Sequence, residues 1–211
     1  MLKWGSRRAD GPPVAPPASP APADAVVTSK VFPRFLAAVG HQESPALLDL
    51  GPVVGSNVSF FGDRFACKLY VEDLYLDIED HARRGDRAAL AKFFATRLTQ
   101  PPDSIDGILC WDLFDFLDRA AGQVLAARLA GMVRKGGALY GSFGTTPMEL
   151  KQYTKNIVMA EDSLKHRVSP ATPVARTVLL TRDIIKMFDG LIVAESVLLK
   201  SSTRETLFRR P

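Results

Sequence analysis

The hydrophobic and polar positions of this chain alternate between two periods. "PALLDLG" is short, continuously apolar and closed by Gly51-Pro52, the pattern of a buried strand. "SNVSFFGDRF" follows with Val58, Phe61 and Phe65 at helical spacing and Ser56 or Asn57 placed to cap it. "ACKLYVEDL" predicts a second strand. In "DRAALAKFFATRL", Leu90, Phe93, Phe94 and Leu98 share one helix face behind Asp86 as the cap. "DGILCWDLFDFL" holds a third strand, with Ile108 to Trp111 as its buried run. The clearest helix starts at Asp118 and carries Ala121, Val124, Leu125, Met132 and Val133 on its stripe; basic residues and Gly136-Gly137 end it. "ALYGSFG" is a fourth strand. An earlier short helix, "SKVFPRFLAAVG", is closed by Gly40.

The last third of the chain reads differently. "YTKNIVMAEDSLKHRVS" predicts an inserted hairpin at about 151–169, turning around "EDS". A short helix "TRDIIKMF" capped by Thr181 leads into "GLIVAESVLLKSSTRETLFRR", two strands about a tight turn at Ser201-Ser202, which must be antiparallel. Strands alternating with helices imply βαβ units. The expected fold is therefore α/β: an open, doubly wound, mostly parallel sheet with helices on both faces, ending in an antiparallel C-terminal hairpin.

Composition places the chain among ordinary globular proteins: 211 residues, 46% hydrophobic and 24% charged. Residues 1–25 are expected to form a Pro/Ala-rich tail that closes with "DGPPVAPPASPAPADA" from Asp10 to Ala25, with no periodicity and the makings of a disordered or polyproline-like segment; the domain is expected over 26–211. The net charge of +4 is mild and spread out, so there is no strong nucleic-acid signal, and the basic "TRETLFRRP" reads as a solvated strand edge. No apolar run nears the roughly 18 residues of a membrane span. The start, "MLKWGSRRAD", lacks the apolar stretch of a secretory signal. Cys67 and Cys110 sit in apolar segments without metal-type spacing, consistent with a reducing compartment, and the expected location is cytoplasmic. His41, His81 and His166 show no ligand spacing, so no metal is expected.

Chemistry concentrates at "LLDLGPVVGSN", where the first strand turns into a helix. A phosphate-cradling P-loop needs a Gly-Lys pair, and none occurs in this chain. A dinucleotide fingerprint needs G-x-G-x-x-G, but Gly51 and Gly55 are four apart with Pro52 in the tight turn. A nicotinamide-dependent reductase also lacks its Tyr-x-x-x-Lys pair, since in "KQYTK" Lys155 follows Tyr153 by only two residues.

Asp49-x-Gly51, Gly55, the acidic end of the second strand, "ILCWDLFDFL" and "VRKGGALYGSFG" occur in an order that resembles the class I S-adenosylmethionine-dependent methyltransferases, from about Ala46 to Arg210. The terminal antiparallel hairpin is similar to the reversed last strand of that family. The resemblance implies S-adenosyl-L-methionine as cofactor, with Asp49, Gly51, Gly55, Ser56 and Asn57 at its methionyl end. Glu72 or Asp73 would accept its ribose hydroxyls, one of the two facing the site because side chains alternate along a strand. Trp111 and Asp112 would reach the methionyl group or the substrate. The glycine loop makes physical sense, because backbone without a Cβ approaches a ligand closely.

Two departures matter. Val53 and Val54 put bulk into the loop, which would narrow or close the methionyl pocket. The stretch between the second strand and "DGILCWD" is too short for the family's extra strand plus two helices, so that strand is degenerate or folded into "LYLDIEDH". Methyl transfer is an in-line displacement that needs alignment and at most one proton acceptor, for which Asp112, Asp115 and His166 are the candidates. The acceptor, a small molecule or a protein, is not legible. It would be recognised by the first helix, the loop after "ILCW" and the inserted hairpin. The alternative reading is a non-catalytic methyltransferase-like module that uses the scaffold and the Pro-rich tail to bind other proteins.

Overall fold

The computed structural model describes residues 24–211; the expected tail lies almost entirely outside them. Nine strands and six helices follow one another as β1 (Ala25–Thr28), α1 (Phe32–Val39), β2 (Ala46–Asp49), α2 (Gly55–Phe65), β3 (Lys68–Val71), α3 (Leu74–Arg83), α4 (Leu90–Arg97), β4 (Ile105–Trp111), α5 (Arg119–Met132), β5 (Val133–Gly144), β6 (Glu149–Ala160), β7 (Ser163–Ala175), α6 (Thr181–Met187), β8 (Ile192–Leu198) and β9 (Thr203–Arg209). Six strands form one sheet in the order β3-β2-β4-β5-β9-β8. The first four run parallel, and β9 is antiparallel to both β5 and β8. β1, β7 and β6 make a separate antiparallel sheet.

Strand alternation builds two cores. Leu48, Leu50, Ile108, Cys110 and Leu139 face the layer of α3, α4, α5 and α6. Leu47, Leu109, Trp111, Ala138 and Tyr140 face α1 and the inserted sheet. All seven residues of β4 are buried, as a strand covered on both faces requires. Gly107 lets α1 sit close on β4. A Cβ there would lie 2.6 Å from Val39 Cγ1, 2.8 Å from Leu47 Cδ2 and 2.9 Å from Phe35 Cζ.

Several local expectations fail for identifiable reasons. Neither Ser56 nor Asn57 caps α2. The helix starts one residue before Ser56, its cap position is Val54 without a side-chain bond, and Val58 is exposed. Asp86 precedes a short 3-10 turn at 87–89 and makes no capping bond, so the expected helix is two segments. Thr181 is the first residue of α6 rather than its cap, which is Leu180. "LYLDIEDH" is helix α3, capped by Asp73 accepting from Leu76 N–H, and no strand replaces it. α5 stops at Met132; Arg134 and Lys135 already belong to β5. β9 is an interior strand, and its basic end is not a solvated edge. Arg209 donates to Gly136 O at 2.7 Å and Arg210 to Val133 O at 2.6 Å. The insertion is a hairpin as expected but longer, running over 149–175 and completed by β1. Among the described residues, no helix is long and apolar enough to cross a membrane.

Candidate active site

The chain leaves β2 through α2 to β3 on one side, and β4 then pairs on the other side of β2. Strand order reverses at this point, and the crevice outside the carboxyl ends is where open α/β sheets bind ligands. Asp49, Gly51, Glu72, Asp73, Trp111 and Asp112 all lie at that edge, at the ends of β2, β3 and β4. Backbone bonds hold the three ends in line: Leu50 N–H to Leu109 O and Glu72 N–H to Asp49 O.

Asp49 is 3% exposed. Its Oδ1 accepts from Gly51 N–H at 2.9 Å and from Trp111 Nε1 at 2.7 Å. Burial pushes its carboxyl up to about 6; the two hydrogen bonds offset this in part, and the charge of Asp73 adds to it. None of these influences is a cation. Trp111 closes β4 with φ of +51°, a left-handed conformation that bulky residues seldom adopt. Its indole rests on the Gly51 turn, where a Cβ would meet Cδ1 and Nε1 at 2.9 Å. Phe32 and Tyr140 hold the ring from the other side. The loop is therefore narrowed, but by Trp111. Val53 is 66% exposed, and Val54 is half-buried at the cap position of α2.

Glu72 and Asp73 take different roles. Glu72 accepts from Arg97 Nη1 at 2.7 Å and Gln100 Nε2 at 3.0 Å, while Arg97 Nε also reaches Asp77 at 2.7 Å. Asp73 caps α3. Asp112 accepts from the hydroxyl of buried Tyr75. Burial, and then the charge of Asp112, push that hydroxyl well above its ordinary range. Asp115 lies deeper: it accepts from Gly144 N–H and faces Arg176 Nε at 2.9 Å, and burial pushes it up to about 7 against the pull of Arg176. His166 sits half-buried on β7 opposite Asn156, and burial lowers it against the opposing charges of Asp112 and Glu205.

Gly55 and Ser56 are exposed on the first turn of α2, and a Cβ at Gly55 would meet nothing within 4 Å. Asn57 turns away from the crevice. Its Nδ2 donates to Asn156 O and its Oδ1 accepts from Val158 N–H, both at 2.8 Å, clasping the inserted hairpin to α2. A second clasp joins the hairpin to α3, where Glu79 accepts from Tyr153 and Thr172. Tyr153 also packs against Tyr75 and Phe116, so the hairpin covers the edge beside Asp112. Replacing Asn57 with alanine strands two buried backbone groups. The expected cost is about 2 kcal/mol, with faster hydrogen exchange at the Val158 amide.

No family model and no curated protein matches the chain. Solved structures do. An S-adenosylmethionine-dependent methyltransferase from Clostridium acetobutylicum ATCC 824 matches with a TM-score of 0.52 at 13% identity, over 87% of this chain and 92% of that one. The PH0226 protein of Pyrococcus horikoshii OT3 matches with a TM-score of 0.53 at 12% identity, over 86% and 88%. The fold is that of the class I S-adenosylmethionine-dependent methyltransferases. In this methyltransferase fold the Gly51 turn, Glu72 and Asp112 occupy the switch-point edge. Sequence reasoning missed Arg97, Gln100, Tyr75 and Arg176. They lie at least 25 residues from the edge carboxylates they contact, and no local pattern links them to these partners.

Among the described residues, no group of three or more His, Cys, Asp or Glu side chains is placed to hold a metal ion. The donor set fits the cationic end of the expected cofactor: a buried carboxylate without a cation is what an ammonium or sulfonium requires. The ribose acceptor fits less openly, since both oxygens of Glu72 already have partners.

Proposed function

We propose that this chain is an S-adenosylmethionine-dependent methyltransferase whose Asp49 receives the cationic end of the cofactor. The observation that carries this reading is the buried Asp49 carboxylate at the switch point, balanced only by two neutral N–H donors. Burying a carboxylate without a counter-charge is costly, and a cationic ligand removes that cost. When bound, the cofactor supplies a methyl group on a positively charged sulfur. Asp49 would hold that cationic end, Glu72 would take the ribose hydroxyls in place of Arg97 or Gln100, and the hairpin around Tyr153 would exclude water. Asp112, steadied by Tyr75, is the proton acceptor nearest the edge.

The second reading, a non-catalytic module on the same scaffold, is favoured by the saturation of Glu72 and by the indole lying across Gly51. Calorimetric titration with S-adenosylmethionine and S-adenosylhomocysteine separates the two. The enzyme reading expects micromolar binding above pH 7, weakened about tenfold in Asp49→Asn. The free protein holds a proton on Asp49 below about 6, and this proton must leave before a cation pairs with it. Affinity should therefore be level above pH 6 and fall by about tenfold per pH unit below it. A well-folded native protein that binds neither ligand would establish the scaffold reading instead.

A further inference from the structure

We infer that Trp111 is a gate on Asp49: its indole N–H occupies the acceptor that the cationic end of the cofactor takes, and binding requires the indole to leave. The inference rests on the reading that the cofactor meets Asp49, and it goes further by making the protein its own competitor for that site. Three observations converge on this one side chain. The indole N–H donates to the same Oδ1 that the Gly51 N–H uses, so both donors of a carboxylate that lacks a cation converge on the one oxygen that lies against the Gly51 turn. Its Cδ1 and Nε1 lie 2.9 Å from where a Cβ on Gly51 would stand, so the surface a glycine leaves open to a ligand is covered by this ring. Its backbone is left-handed at φ +51°, beside a register shift between Leu109 and Trp111 in the β4–β5 pairing. Such conformations persist where the surroundings enforce them, and they cluster at clamps and switches.

The gate has an identifiable support. Phe32 of α1 and Tyr140 of β5 pack on the indole at centroid distances of 5.9 and 5.8 Å. Tyr140 is in turn fixed through its hydroxyl to Glu205 at 2.9 Å. The closed position is thus held by two aromatic contacts and one charge-assisted hydrogen bond. A ligand cation must displace that bond to reach Oδ1. Ligand affinity is lowered by what the closed position is worth, as for any protein whose competent state is a minor one.

Two measurements test this. Trp111→Phe keeps the aromatic packing and removes the N–H. It should tighten S-adenosylmethionine binding by about tenfold, the worth of one charge-assisted hydrogen bond. In a Trp4→Phe chain, Trp111 is the sole tryptophan. Its emission should move to longer wavelength as the ligand saturates, at the concentration calorimetry gives. Weaker binding in Trp111→Phe would overturn the gate, because the indole would then be a lasting contact to the cofactor. Unchanged affinity with unchanged emission would also overturn it, while leaving the cofactor reading standing. Failure of both the native chain and Trp111→Phe to bind would remove the cofactor reading and the gate together.

Discussion

Replacing Glu205 with leucine should lower stability by about 3–5 kcal/mol, read as a drop in the urea midpoint at unchanged slope. Glu205 is 4% exposed on β9, and it satisfies three donors at once. One oxygen takes Lys30 N–H at 3.0 Å and Val31 N–H at 3.3 Å, and the other takes the Tyr140 hydroxyl at 2.9 Å. The two amides belong to the entry of α1, where unpaired N–H groups attract an anion. Leucine fills similar space but leaves all three donors unpaired, and the two buried ones, Val31 N–H and the Tyr140 hydroxyl, cost about 1–3 kcal/mol each before relaxation. Glu205→Gln, which keeps one carbonyl acceptor, should cost less than half as much. A leucine variant as stable as the native chain would show that water satisfies these groups. Because Tyr140 supports Trp111, Glu205→Gln should also loosen the indole, seen as a longer-wavelength emission from Trp111 in the Trp4→Phe chain.

Arg176→Met should cost about 3 kcal/mol at pH 8.5 and only about 1 kcal/mol at pH 5. Asp115 and Arg176 form a buried pair at 2.9 Å, the arginine side chain 14% exposed and the aspartate 5%. Asp115 also holds both ends of the inserted hairpin in place, through Gly144 N–H and through Thr177 N–H on its own backbone carbonyl. Its carboxyl stands at about 7 in the folded chain, raised above the ordinary value of 3.8. A raised carboxyl stabilises the folded form most fully below its unfolded value, and that contribution is lost as pH rises to about 7. At pH 5 the native carboxyl is already neutral, so losing Arg176 removes packing and little charge. At pH 8.5 the pair is ionised, and its loss leaves a bare buried carboxylate. Equal costs at the two pH values would contradict this account.

Much of the layout was legible because it rests on local periodicity. The buried runs "ALLD" and "IDGILCW" are strands, and Asp118 caps α5 through Ala121 N–H at 2.8 Å. The paired terminal strands and the inserted hairpin follow from alternation and turns, and the antiparallel ending narrows the choice of fold. The caps at Asn57, Asp86 and Thr181 were misread, because a capping residue type counts only if the backbone makes no better use of it. Asn57 is the clearest case: two backbone groups of a hairpin about 100 residues away outcompete the first turn of α2. "LYLDIEDH" mixes apolar and acidic positions at spacings that suit either period, and the cap at Asp73 decided for helix.

The candidate site divides the same way. The sequence alone determined which carboxylates and glycines stand at the carboxyl ends of β2, β3 and β4, since strand ends and turns are local features. Only the tertiary structure decided what each of them faces. Glu72 meets Arg97, Asp112 meets Tyr75, Asp115 meets Arg176, and Asp49 meets the indole of Trp111. These partners come from distant segments, and their pairing is set by how layers pack on the sheet. A buried charge is costly enough that packing must find it a donor, but nothing in the local sequence says which one.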